Sequence, residues 1–168
     1  KSDCCYYSFM KEVIWVMGPS GVGKETFIKN IARNPKTLQL LNLESKSIVS
    51  CGASYHFNGN YEGDPIDEAR EKIFDEIPDL LKNYDVVFVK WQHIDSERSR
   101  LVRLQKLLAD VQHKTILLVA PKQELIERLT EKSWWHDFGN ESAHVDSGIN
   151  SVVSSVRELP SSITVRIL

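Results

Sequence analysis

Five short apolar runs, separated by stretches with helical apolar spacing, predict an α/β fold built on a parallel sheet covered by helices on both faces. Three observations carry that prediction. The first run, Val13-Ile14-Trp15-Val16-Met17, passes directly into Gly18-Pro19-Ser20-Gly21-Val22-Gly23-Lys24-Glu25-Thr26 and then into Phe27, Ile28 and Ile31 at helical spacing. Two later runs, Asp85-Val86-Val87-Phe88-Val89 and Thr115-Ile116-Leu117-Leu118-Val119-Ala120, are almost continuously apolar, as strands buried on both faces are. The intervening helices provide the right-handed crossovers that join parallel strands, so ligands would gather outside the strands' carboxyl ends.

The strand, glycine-rich turn and helix order gives the first run its chemistry. In a GxxxxGK segment the glycines let successive N–H groups turn inward around a phosphate, and the helix behind adds its positive end. Lys24 supplies a mobile cation for the outer phosphates. Gly18, Pro19, Ser20, Gly21, Val22, Gly23, Lys24, Glu25 and Thr26 are therefore the candidate nucleotide-binding residues. A tight strand-to-helix turn without a ligand is the bland alternative, and the full motif in this context weighs against it.

One position departs from the motif. A Ser or Thr hydroxyl normally follows the lysine and binds magnesium, whereas Glu25 stands there and Thr26 comes next. Two readings stay open. Either Glu25 faces outward, leaving Thr26 to offer its N–H and hydroxyl to phosphate and metal, or nucleotide binding is degraded.

The remaining elements follow in order. A helix is predicted from about Lys24 to Arg33, stopped by Asn34-Pro35, with Leu38 to Leu43 a connector or helical turn. Ser47 to Cys51 reads as a second strand, and Gly52 to Asp64 as a polar loop with Tyr55 and His56. Pro65 suits the first turn of a helix running through Lys82, on which Ile66, Ala69, Ile73, Ile77 and Leu80 share a face and which Pro78 kinks or divides. Ser96 caps the next helix, with Leu101, Leu104, Leu108 and Val111 on one side. After the strand at Thr115 to Ala120, a helix from about Lys122 to Lys132 buries Leu125, Ile126 and Leu129. A helix carrying Val145, Ile149, Val152, Val153 and Val156 then leads to a last strand at Ser162 to Leu168.

Composition bounds the rest. The 168 residues suit one domain, and 42% hydrophobic and 26% charged residues are ordinary for a globular chain. A net charge of −2 argues against a nucleic-acid or membrane surface as main partner. Cys4, Cys5 and Cys51 form neither a metal-ligand spacing nor an even framework, which fits a reduced, cytoplasmic setting. No run is long enough to cross a membrane. Residues 1–9 are poorly patterned and Met10 stands just before the first strand. The expected organisation is an extension over 1–9, natural or added, and a single domain over 10–168.

The stretch Ile14-Trp15-Val16-Met17-Gly18-Pro19-Ser20-Gly21-Val22-Gly23-Lys24 strongly resembles the nucleoside monophosphate kinase group of P-loop proteins, and within it guanylate kinases and ribose 1,5-bisphosphate phosphokinases. In the latter an aspartate and then a hydroxyl residue follow the loop lysine, and Glu25-Thr26 looks like a variant of that pair. Leu125-Ile126-Glu127-Arg128-Leu129, after Val119-Ala120-Pro121, looks like the lid-bearing helix, which implies a phosphate clamp at Arg128. The resemblance is specific over about residues 12 to 29 and looser over 84 to 132. It implies a three-layer α/β/α P-loop fold of five parallel strands in the order 2-3-1-4-5, with ATP and magnesium as ligands. The sequence departs from the group at several points. Gly52 to Asp64 is shorter than the guanylate kinase insertion, Trp134 and Trp135 stand where basic lid residues are expected, and Lys90-Trp91-Gln92-His93 replaces a Walker-B aspartate.

Other constellations are weaker. His93 and Asp95 lie where an acceptor-activating base would stand, and Asp95 serves equally as a cap for the helix at Ser96. Arg98, Arg100 and Arg103 read first as a solvated helix face. His136 and His144, next to Asp137 and near Asp146, lack a recognised ligand spacing. The tryptophan pair is either a hinge or a stacking platform. The expected activity is ATP-dependent phosphoryl transfer to a small-molecule acceptor, a nucleotide or sugar phosphate, with Lys24, Arg128 and Asp95 as catalytic residues and Thr26 at the metal. A nucleotide-binding module without turnover is the rival, and a nucleic-acid-directed ATPase is disfavoured by charge.

Overall fold

The structure, a computed structural model, describes residues 10–31, 33–52, 76–91, 106, 108–131, 140–156 and 163–167. Strands β1 (Glu12–Met17), β2 (Ile48–Gly52), β3 (Val86–Lys90), β4 (Gln112–Val119) and β5 (Ile163–Ile167) form one sheet in the order β2-β3-β1-β4-β5, every neighbouring pair parallel. The glycine-rich segment leaves the central strand. Helices α1 (Lys24–Ile31) and α2 (Pro35–Leu40) follow β1, and helical residues 76–83 form the described part of α3 before β3. Helices α4 (Lys122–Thr130) and α5 (Glu141–Val156) join β4 to β5.

The pleat divides the core in two. Val13, Trp15 and Met17 of β1 join Val87, Val89 and Trp91 on one face, where Ile77 and Leu81 of α3 cover them. Ile14 and Val16 join Val86, Phe88, Ile116 and Leu118 on the other, under Ile28 and Ile31 of α1 and Leu125 and Leu129 of α4. Burying each such side chain contributes about 1.5–3 kcal/mol. The alternation therefore fixes the register firmly, since a slip of one residue would exchange the two faces.

Two boundaries differ from those expected. Asn34 does more than stop α1: its side chain accepts a hydrogen bond from the Thr37 amide at 3.1 Å and caps α2, with Pro35 in the first turn. Strand β4 begins at Gln112, three residues before the apolar run, because Gln112, His113 and Lys114 ladder against Glu12, Val13 and Ile14. Tertiary contacts hold these polar residues extended. Lys114 Nζ lies 2.7 Å from the buried Glu12 carboxylate, and Trp15 Nε1 donates to His113 Nδ1 at 3.1 Å.

The N-terminal extension, Tyr55 and His56, most of the helix expected from Ser96, and the aromatic segment at 133–139 lie outside the described residues. No described helix is long and apolar enough to cross a membrane.

Candidate nucleotide-binding site

The loop between β1 and α1 is held from three sides. Gly18 (φ 151°) lies against β4: a Cβ there would come 2.5 Å from the Leu118 carbonyl oxygen and 2.8 Å from Val22 Cγ1. Gly21 (φ 84°) lies against α4, where a Cβ would meet Leu129 Cγ at 3.2 Å. On the third side α5 passes close by. Gly148 faces Pro19, and one turn earlier His144 Nε2 lies 3.4 Å from Ser20 Oγ. The Val22 amide donates to the Pro19 carbonyl at 3.3 Å, which closes the turn.

Lys24 begins α1 on its buried side. Its ammonium donates to the carbonyls of Gly18 at 2.6 Å and Pro19 at 3.0 Å, so the cation is anchored at the mouth of the loop. Arg128 reaches the same loop from α4. Its Nη1 points to the carbonyls of Gly21 and Val22 at 3.4 and 3.5 Å, while Nη2 pairs with Glu124 one turn back. The structure therefore brings Lys24 and Arg128 to the two ends of one loop. Asp95 and His93 lie outside the described residues, as do Arg98, Arg100, Arg103, Trp134, Trp135, His136 and Asp137.

Glu25 lies at the side of α1, partly exposed, and its carboxylate is shared between two cations. One carboxylate oxygen takes Lys29 at 2.5 Å on the exposed helix face, and the other lies 3.4 Å from Lys90 at the tip of β3. Helix geometry accounts for this. Lys24, Ile28 and Ile31 define the buried face, position 25 stands about 100° to its side, and Thr26 falls roughly opposite, exposed. Thr26 is thus turned away from the face on which Lys90 meets α1. The hydrogen bond from Lys29, reinforced by the charge of Lys90, holds the Glu25 carboxyl below its ordinary range against the opposing effect of burial.

These residues do not fit a divalent metal at the position where the motif places one. Both oxygens of Glu25 face ammonium groups, and two ammoniums against one carboxylate leave a net positive charge. Such a site repels a dication and attracts phosphate. Among the described residues no cluster of three His, Cys, Asp or Glu side chains gathers to hold a metal ion. His144 and Asp146, considered above as ligands, turn to different partners, Ser20 and Lys122.

Sequence reasoning missed the wall formed by α5. The available signals were Asn140, whose side chain accepts from the Ala143 amide at 3.0 Å and caps the helix, and the four-residue spacing of His144 and Gly148. Cys51 is a free thiol whose pKa burial pushes well up, so it stays protonated and unreactive.

The sequence matches no protein-family profile and none of the curated proteins. Solved structures share the architecture. A chain of the Pnkp1/Rnl/Hen1 RNA repair complex superposes with a TM-score of 0.63 at 14% identity, over 89% of this chain and 46% of that one. This chain therefore spans less than half of that relative's length. A candidate kinase from Chloroflexus aurantiacus gives 0.57 at 16% identity, over 95% of this chain and 85% of the other. Kti12 of Chaetomium thermophilum, solved in complex with ADP-AlF3, gives 0.57 at 15% identity, over 92% and 88%. The shared feature is the α/β architecture, a parallel sheet with helices packed on it.

Proposed function

We propose that this chain binds the phosphates of ATP on the loop from Gly18 to Thr26 and transfers the terminal phosphoryl group to a small acceptor such as a nucleotide or sugar phosphate. The carrying observation is the anchoring of Lys24, whose ammonium sits on the Gly18 and Pro19 carbonyls inside a loop braced by β4, α4 and α5. Backbone N–H groups of the loop and the start of α1 would bind the phosphates. Lys24 stabilises charge that grows on the transferring group, and Arg128 shares that work from α4. Where the acceptor is itself a phosphate, little general-base help is needed, and Asp95 is the group assigned to an acceptor hydroxyl. The ADP-AlF3 bound to the similarly folded Kti12 supports nucleotide binding on this architecture.

A second reading, a nucleotide-binding module with little or no turnover, is favoured by one observation: Lys90 stands at the tip of β3 where a Walker-B acid is expected. ADP release measured against nucleotides, sugar phosphates and an RNA oligonucleotide separates the two. Release that depends on a small acceptor supports transfer. Tight ATP binding with no release under any acceptor supports the module, and release stimulated by RNA alone would move the substrate class to polynucleotides.

A further inference from the structure

The site just described disagrees with the metal that its motif implies. The hydroxyl position carries Glu25, and the tip of the neighbouring strand carries Lys90 in place of an acid. Lys90 pairs in register with Val16, two residues before Gly18, and belongs to the same sheet face as Val86 and Phe88, the face that α1 covers. Its side chain is only 18% exposed, and its Nζ lies 3.4 Å from Glu25 Oε2. A shielded ammonium is therefore held beside the loop by the carboxylate that stands at the motif's metal-binding hydroxyl position.

We infer that Lys90 takes the place of the divalent cation, so that this loop binds nucleotide di- and triphosphates without magnesium. The inference rests on the proposal that the loop binds nucleotide phosphates. An ammonium supplies one positive charge and directional N–H donors to phosphate oxygens, as Lys24 does from the other side. Glu25 limits the movement of Lys90 and keeps the local charge from becoming so positive that the unliganded loop is driven apart. Lys29 holds the second oxygen of Glu25 and with it the orientation of the carboxylate. Free nucleotide in place of its magnesium complex is then the ligand form selected, because a bound dication would meet Lys90 directly.

Isothermal titration of the full chain with ATP, once in EDTA and once in excess magnesium, tests this. The wild type is expected to bind in EDTA at least as tightly as in excess magnesium. Lys90→Met keeps the aliphatic stem and removes the charge, and should weaken binding in EDTA by about tenfold or more, with part of the loss regained in magnesium. Glu25→Ser in addition to Lys90→Met restores the usual hydroxyl and should make binding depend on magnesium. Wild-type binding seen only with magnesium, together with an unchanged Lys90→Met, overturns the inference and leaves the loop as a nucleotide site. No binding by the wild type under either condition overturns the nucleotide reading itself.

Discussion

The carbonyl oxygen of Leu118 occupies the space beside Gly18 that any larger residue would need, 2.5 Å from an ideal Cβ. Strand β4 thus meets the mouth of the loop through a backbone carbonyl. Leu118 is fully buried and cannot retreat without disturbing the sheet. Gly18→Ala should therefore cost stability as well as binding. A φ of 151° is close to glycine-only territory, and strain plus overlap should amount to about 2–3 kcal/mol. Urea unfolding of the variant measures it, and a midpoint equal to that of the wild type would show that the loop can move away from β4.

Lys24→Ala separates fold from function. The ammonium is bonded to the carbonyls of Gly18 and Pro19 in the loop, so the variant should stay folded. ATP at about a hundred times its Kd stabilises a binding protein by about 2.7 kcal/mol. Thermal unfolding should show that shift in the wild type and little of it in the variant, and equal shifts would remove the loop lysine from the nucleotide site.

Arg128 offers a finer test. Its Nη1 reaches two loop carbonyls while Glu124 holds Nη2, a planar geometry that lysine cannot reproduce. Arg128→Lys should leave nucleotide affinity nearly unchanged and lower the rate of phosphoryl transfer by about tenfold or more. A parallel loss of affinity would make Arg128 a ground-state binding residue.

The pair of His113 and Trp15 sets a pH dependence. His113 Nδ1 accepts from Trp15 Nε1, and its Nε2 lies 3.1 Å from the Leu108 carbonyl, an arrangement that needs the neutral ring. Desolvation lowers its pKa from the ordinary 6.5, only partly opposed by the Leu108 carbonyl. The unfolded chain thus binds this proton more readily than the folded one. The stability it contributes is complete above pH 6.5 and is lost as the pH falls from there towards the folded pKa. His144, also lowered by desolvation, adds to the same slope. Urea unfolding between pH 7.5 and 5 should show the decline, and His113→Gln should flatten part of it. An unchanged slope would mean that His113 is not desolvated as described.

Much of this molecule is local in origin, and that portion was open to reading. The alternation of Val13, Trp15 and Met17 with Ile14 and Val16 needs only the period of a strand, and it marks the two faces that the cores occupy. The continuously apolar runs at β3 and β4 announced burial on both sides. The loop was legible because its glycines, its lysine and the flanking strand and helix are contiguous in the chain. Polar ends such as Gln112 to Lys114 were not, since side-chain polarity gives no sign of a ladder partner.

The character of the site was decided in three dimensions. Glu25 and Lys90 are 65 residues apart, Arg128 and Gly21 are 107, and Trp15 and His113 are 98. Each pair meets because the parallel sheet and the helices packed on it bring distant segments together. Position 25 taken alone reads as a surface carboxylate, for which turning to solvent costs least. Lys29 holds one oxygen from the next turn of the same helix, and the register that sets Lys90 beside Val16 supplies a second cation for the other. The sequence by itself thus determined the glycine-rich turn between strand and helix, through backbone chemistry that is local to the chain. The ammonium of Lys90 beside Glu25 depended on the neighbouring strand, because electrostatics at 3–4 Å follow spatial adjacency and not chain order.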